Sequence, residues 1–240
     1  MDRNELKDKF TIYMFTDSSV TDDEREMLMN AMASAARIYG CWFLMEPSGW
    51  GVPEGAAGDG RRSGLAGANG NASSSGRGGF SADDIIEKAP VNEKGQIGAS
   101  EILTMMQAGF RSQELKGAMF IFTGRDLYLN KTWCFGAARV GGGVSIQSMA
   151  RFRGLSDSEK QAVISRTLRH ELGHIHRLAA DHKRAKVEKK FGWHCTSKGC
   201  TMRQSPNLKT LLKHAAEEDP ENCLCALCRE DLRRFKEKNY

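Results

Sequence analysis

The chain has 240 residues, 40% hydrophobic and 27% charged, with a formal net charge of +5 and a pI near 8.8. These values suit one globular domain with an ample core. No run approaches the length of a membrane span, and the first residues lack the apolar stretch of a secretory signal. The expected location is therefore the cytoplasm, where clustered cysteines are better read as metal thiolates than as disulfides. The positive charge concentrates in Lys183–Lys190 and in Arg229–Lys238. Both runs read as solvated faces rather than nucleic-acid contacts.

In chain order, Phe10–Phe15 reads as a strand rich in β-branched and aromatic residues. Thr21-Asp22-Asp23-Glu24 has capping-box form, and Met27, Leu28, Ala31, Ala35 and Ile38 keep helical spacing up to Gly40. Cys41–Met45 is the next short apolar run, with Cys41 as a small core residue. Strand, helix, strand opens an α/β unit with a locally parallel sheet. Between residues 47 and 80 lie 11 of the 25 glycines and almost no apolar residues. This stretch reads as a disordered surface insertion, because it cannot bury enough surface to offset its ordering entropy. Ser81-Ala82-Asp83-Asp84 and Ser100-Glu101-Ile102-Leu103 are short helix starts, and Ala118–Thr123 is a continuous apolar run suited to a central strand.

Phe135–Ile146 has β-forming ends around Gly141, Gly142 and Gly143. It reads either as a strand or hairpin closely approached by something else or as a plain glycine turn. Val140, Gly141, Gly142 and Gly143 are the candidate substrate-binding residues, on the expectation that an extended peptide adds along this edge. Ser156-Asp157-Ser158-Glu159 is a second capping box. It opens a helix in which Val163, Thr167, His170 and His174 share one face, with Ile164, Leu168, Leu172 and Ile175 packing beside it.

That helix carries His170-Glu171-Leu172-Gly173-His174. In H-E-x-x-H the two histidines lie at i and i+4 on one face, so both can reach a single Zn²⁺, and the glutamate serves as general base. All six histidines and five of the seven cysteines fall between His170 and Cys228. A catalytic zinc commonly takes a third protein ligand. The candidates are His176, His182 and His194. His176 is turned about 200° from His174 and is expected at the surface. Cys195-x4-Cys200 and Cys225-x2-Cys228 form a four-thiolate set with structural-zinc spacing. A redox dithiol at Cys225 and Cys228 is the competing reading. Cys223 is a fifth thiol that could replace Cys225, and Cys134 is expected to be buried.

His194-Cys195-x4-Cys200-x-Met202 followed by Cys225-x2-Cys228 resembles the archaemetzincin family. So do Thr123-Gly124-Arg125-Asp126-Leu127-Tyr128 and Ser148-Met149-Ala150-Arg151, and the likeness covers most of the chain from Met119 to Leu232. It implies an α/β (α+β) zincin-like fold, with a mixed twisted sheet and the motif helix in an N-terminal lobe (1–177). A small zinc-stabilised C-terminal lobe (178–240) would complete a single domain. It implies a zinc metallopeptidase, endopeptidase or aminopeptidase, acting on peptides or proteins. A monomer is expected, and the charge and hydropathy patterns argue against nucleic-acid and membrane partners. His170, His174 and His194 would hold a catalytic zinc, with Glu171 as base and Met202 as the Met-turn residue beneath. Cys195, Cys200, Cys225 and Cys228 would hold a second, structural zinc.

The chain departs from the metzincin pattern at Arg177, where a glycine is usual, and in placing His194 twenty-four rather than ten residues after His170. Without that glycine the motif helix is expected to continue through Leu178–Ala180. An inserted helix is expected at Asn207–Leu212. Two alternatives remain at this level. One is an SprT-like, DNA-associated metalloprotease using His182 as third ligand. The other is a zinc-stabilised binding protein that has lost turnover.

Overall fold

A computed structural model describes residues 10–46, 81–111, 117–181, 183–188 and 192–240. The glycine-rich insertion and His182 lie outside the described residues. Strands β1 (Thr11–Thr16), β2 (Trp42–Glu46), β4 (Gly117–Thr123), β7 (Gly136–Ala138) and β8 (Val144–Ser148) make one sheet in the order β2-β1-β4-β8-β7. The first four run parallel, and β7 closes the edge antiparallel to β8. The apolar run around Phe120 is thus the central strand, as its unbroken hydrophobicity predicts. A small sheet of β3 (Ile97–Gly98), β5 (Leu127–Leu129) and β6 (Thr132–Cys134) stands beside it.

Alternation along each strand sends side chains to two cores. Ile12, Met14, Ala118, Phe120 and Phe122 face α1 (Asp22–Tyr39) and the motif helix α4 (Asp157–Ile175). Phe15, Met119, Ile121, Val144 and Ile146 face α2 (Ala82–Glu87) and α3 (Ala99–Arg111). The architecture is therefore helices on both faces of a mixed sheet. Helix α1 starts where the sequence says, with Thr21 and Glu24 exchanging hydrogen bonds, and stops at Gly40 with φ +61°. The first core continues without a break through Leu172 and Leu178 to Cys195, Cys228 and Leu232, so the cysteine-rich end packs onto the motif helix.

Three expectations need correction. Helix α4 ends at Ile175 instead of running on to Ala180. Arg177 takes the left-handed conformation (φ +60°) that a glycine would adopt more cheaply. Two bonds close the end: Arg177 N–H to the His174 carbonyl and Leu178 N–H to the Gly173 carbonyl, at 3.0 and 2.8 Å. This is a Schellman stop, and buried Leu178 supplies its apolar contact. Second, His176 is fully buried. Its Nδ1 donates to the Leu172 carbonyl, and its ring packs among Phe10, Tyr39 and Phe235. Pointing away from one site did not mean pointing at water. Third, the edge expected at Val140–Gly143 lies elsewhere: Gly141 and Gly143 (φ +63° and +70°) form the glycine turn of a β7–β8 hairpin, and the sheet edge is Gly136–Ala138.

The excursion after Arg177 returns as a two-stranded ribbon. Strand β9 (Val187–Glu188) pairs antiparallel with β10 (His194–Cys195), matching Glu188 with His194 and Val187 with Cys195. Helix α5 (Leu208–Glu217) is the inserted helix, capped by the Asn207 side chain. Helix α6 (Ala226–Asn239) follows Cys225.

Candidate metal centres and the cleft beside them

Helix α4 and strand β10 bring three imidazoles together. The ε nitrogens of His170, His174 and His194 are 3.2, 3.2 and 3.1 Å apart around the triangle. Nitrogens held 2.0–2.1 Å from one tetrahedral zinc would be about 3.3 Å apart, so the triangle has the right size. The Thr201 carbonyl, 2.8 Å from His170 Nδ1, can only accept, which fixes the proton on Nδ1 and leaves Nε2 free. Burial pushes His170 well below the ordinary histidine range, His174 down to about 3 and His194 down to about 4. All three are neutral near pH 7, as a metal ligand requires.

Glu171 lies beside them. Burial pushes its carboxyl up to about 8, and among the described residues its buried Oε2 has no hydrogen-bond partner. Gly136 on the edge strand makes room for it: a Cβ there would sit 2.9 Å from Glu171 Oε1. Gly173 plays the matching part below, where any Cβ would collide with the Met202 sulfur. Met202 is fully buried in a turn under the histidines, and its carbonyl accepts the Cys195 N–H at 2.9 Å.

The histidines and Glu171 line a cleft of about 720 Å³. One wall is the edge strand with Trp133 and Phe135; the other is Thr167 with Gln204–Pro206 and Leu211. Val140 lines it too, whereas Gly141 lies behind, its N–H bonded to the His174 carbonyl at 3.2 Å. Cys134, expected to be buried, is partly so and lines the cleft; burial pushes its thiol up to about 12.

The second cluster lies directly behind the first. A strand alternates its side chains, so His194 and Cys195 point to opposite sides of β10. Cys195, Cys200, Cys225 and Cys228 place their sulfurs within 4.8 Å of one another, with Cys195–Cys225 and Cys200–Cys228 at 3.6 Å. That is far beyond a disulfide bond and close to the roughly 3.8 Å spacing of thiolates around tetrahedral zinc. S–H donation from Cys200 and Cys228 holds Cys195 well below the usual thiol value, and the same contacts push Cys228 far up. Cys200 and Cys228 resist ionisation beside Cys195, and a divalent cation removes that conflict. Cys225, not Cys223, joins the cluster; Cys223 is buried nearby, and its carbonyl accepts the Thr201 N–H.

Between the clusters sits a buried ionic knot invisible in the sequence. Glu218 receives Arg169 through Nε and Nη2 at 2.9 and 2.5 Å, Arg166 through Nη1, and the Thr201 hydroxyl at 2.9 Å. Arg166 also donates to the Cys200 and Arg203 carbonyls. The knot thus fixes Thr201, which in turn orients His170. No spacing rule pairs Glu218 with arginines about 50 residues earlier.

Two solved structures share this arrangement of elements. An archaemetzincin from Methanopyrus kandleri matches with a TM-score of 0.62 at 18% identity, over 96% of this chain and 97% of that one. The chain has the archaemetzincin fold. A second archaemetzincin, from Archaeoglobus fulgidus and crystallised with malonate, matches with a TM-score of 0.57 at 19% identity, over 92% and 99%. No protein-family model matches the sequence, and no curated protein matches it. The archaemetzincin fold therefore rests on shape. It is reached despite Arg177 and the longer path to His194.

Proposed function

We propose that this chain is a zinc-dependent metallopeptidase. The observation that carries the reading is the convergence of three neutral imidazoles next to a buried carboxyl, in a cleft bordered by an exposed strand edge. The chemistry a zinc ion supplies when held by His170, His174 and His194 is acidification of a water and polarisation of the scissile carbonyl. Glu171 is the general base. Its buried Oε2, without a hydrogen-bond partner among the described residues, lines the cleft beside the histidines, placed to take a proton from water and then give it to the leaving amine. An extended peptide adds along the free edge of Gly136–Ala138, and Val140 meets it at the end of that edge. Trp133 and Phe135 offer apolar surface to its side chains. Among the described residues lining the cleft, Glu171 is the sole carboxylate. Met202 supports the histidines from below, and a second zinc on Cys195, Cys200, Cys225 and Cys228 holds the ribbon that delivers His194.

The protein is proposed to act as a monomer in the cytoplasm, where its thiols stay reduced. No described helix is long and apolar enough to cross a membrane. Glu171→Ala is expected to keep both metals by elemental analysis while cleavage of a blocked-end peptide library falls about 10²–10⁴-fold. Undiminished cleavage by that variant would refute the assignment. Two zincs with no cleavage of any peptide by the parent would favour the non-catalytic binding reading instead.

A further inference from the structure

In the stretch between Arg177 and Trp193, where the chain departs most from the metzincin spacing, a described side chain reaches back to the thiolate cluster. Arg184 points its guanidinium at Cys228, with Nη1 and Nη2 at 3.6 and 3.4 Å from the sulfur. Its side chain is only 8% exposed. Asp231, one turn after Cys228 on α6, pairs with Arg184 Nη1 and also accepts the Ala179 N–H at 3.0 Å. The fork is therefore aimed from both sides: the carboxylate holds it, and the ribbon that begins three residues later fixes its backbone. Lys186, just before β9, accepts the Thr196 N–H at 2.9 Å, which ties the same stretch to the residue following Cys195.

We infer that Arg184 is a positioning residue for the four-thiolate site, donating to the Cys228 sulfur so that this ligand is held in place for the metal. Donation from a cation to a thiolate stabilises the charged form and withdraws electron density from the sulfur–metal bond. Asp231 orients the donor, and Arg rather than Lys suits the geometry because one planar group serves a carboxylate and a sulfur together. The segment is thus more than spacer: it secures the metal behind His194 while forming the strand that pairs with it. The inference rests on the metal reading of the cysteine cluster and is independent of whether the cleft hydrolyses peptides.

Cobalt-substituted full-length protein tests it, because thiolate-to-cobalt charge transfer arises from the cysteine site and not from the histidines. Arg184→Met is expected to move that band to longer wavelength. It should also raise the pH at which half the cobalt is released, and weaken metal binding in a chelator competition about tenfold. Arg184→Lys and Asp231→Asn, gentler changes that keep a cation in place, are expected to shift the band by less in the same direction. They decide the matter if Arg184→Met does not fold. An unshifted band and unchanged release in the folded variants would overturn the role of Arg184. Absence of any thiolate band in the parent would instead overturn the metal reading of the cysteines.

Discussion

The two clusters differ in what surrounds them. The three histidines open onto a cleft of about 720 Å³ and leave one side of their triangle toward it. The four sulfurs are enclosed by the β9–β10 ribbon, α6 and the Met202 turn, and three of the four cysteines are buried. An open site with three protein ligands suits chemistry, whereas a closed site with four suits folding. The clusters also depend on each other unequally. His194 precedes Cys195 on β10, so an anchored sulfur cluster helps set it at the cleft, whereas nothing in the sulfur cluster requires an imidazole.

That asymmetry can be broken from either side. Cys228→Ser removes a ligand from the enclosed site. Structural zinc contributes on the order of 10–16 kcal/mol in small zinc domains, so the expected result is loss of the cooperative melt of the cysteine-rich end. Both metals should go, because the ribbon loses its anchor. His194→Ala should lose only the cleft metal and the hydrolysis, with the thiolate metal and the far-UV circular dichroism spectrum kept. Metal analysis and thermal melts of the two variants check this. If Cys228→Ser retained the histidine metal at full affinity, the dependence of one centre on the other would be wrong.

The sequence made one half of this arrangement legible and hid the other. Caps at Thr21, Ser81 and Ser156, the apolar run around Phe120 and the i, i+4 histidines are local signals, and each lands where its spacing says. The Cys195–Cys228 pattern is equally local in its two pairs. What stayed hidden is long-range. Glu218 reaching Arg166 and Arg169, the Thr201 carbonyl orienting His170, and Gly136 yielding space to Glu171 have no periodicity to announce them. The helix end failed for a different reason: tertiary packing of Leu178 outweighed the left-handed penalty at Arg177 that local propensity would have respected.

His176 sharpens the comparison, since it is a buried histidine with no metal to hold. Burial holds it down to about 4, against roughly 6.5 in an unfolded chain. Between those values the unfolded state binds the extra proton, so stability falls as pH drops from 6.5 toward 4 and flattens below. His176→Phe keeps the aromatic packing with Phe10, Tyr39 and Phe235 but cannot titrate. Relative to the parent, the variant should gain about 2 kcal/mol between pH 7.5 and 5.0, read from denaturant unfolding. Taking the difference cancels the acid sensitivity of the three cleft histidines, which both proteins share. A parallel pair of pH curves would mean that His176 takes up its proton within the fold.

The smallest expected effect concerns the joint between the helix and its excursion. Arg177 carries a left-handed cost of about 1–2 kcal/mol, which glycine would remove, though glycine also gives up about 0.5–1 kcal/mol of chain entropy. Its stem is not idle: a Cβ on Gly141 would lie 2.9–3.1 Å from Arg177 Cδ, Cγ and Nε, so the side chain covers the β7–β8 turn behind the cleft. Arg177→Gly is therefore expected to raise stability by only about 0.5 kcal/mol, or about 1–2 °C in the melt, with both metals retained. A fall instead would show that the stem on Gly141 outweighs the strain. The arginine would then brace the turn that is hydrogen-bonded to His174, and the position would be held by packing against the sheet rather than by helix termination.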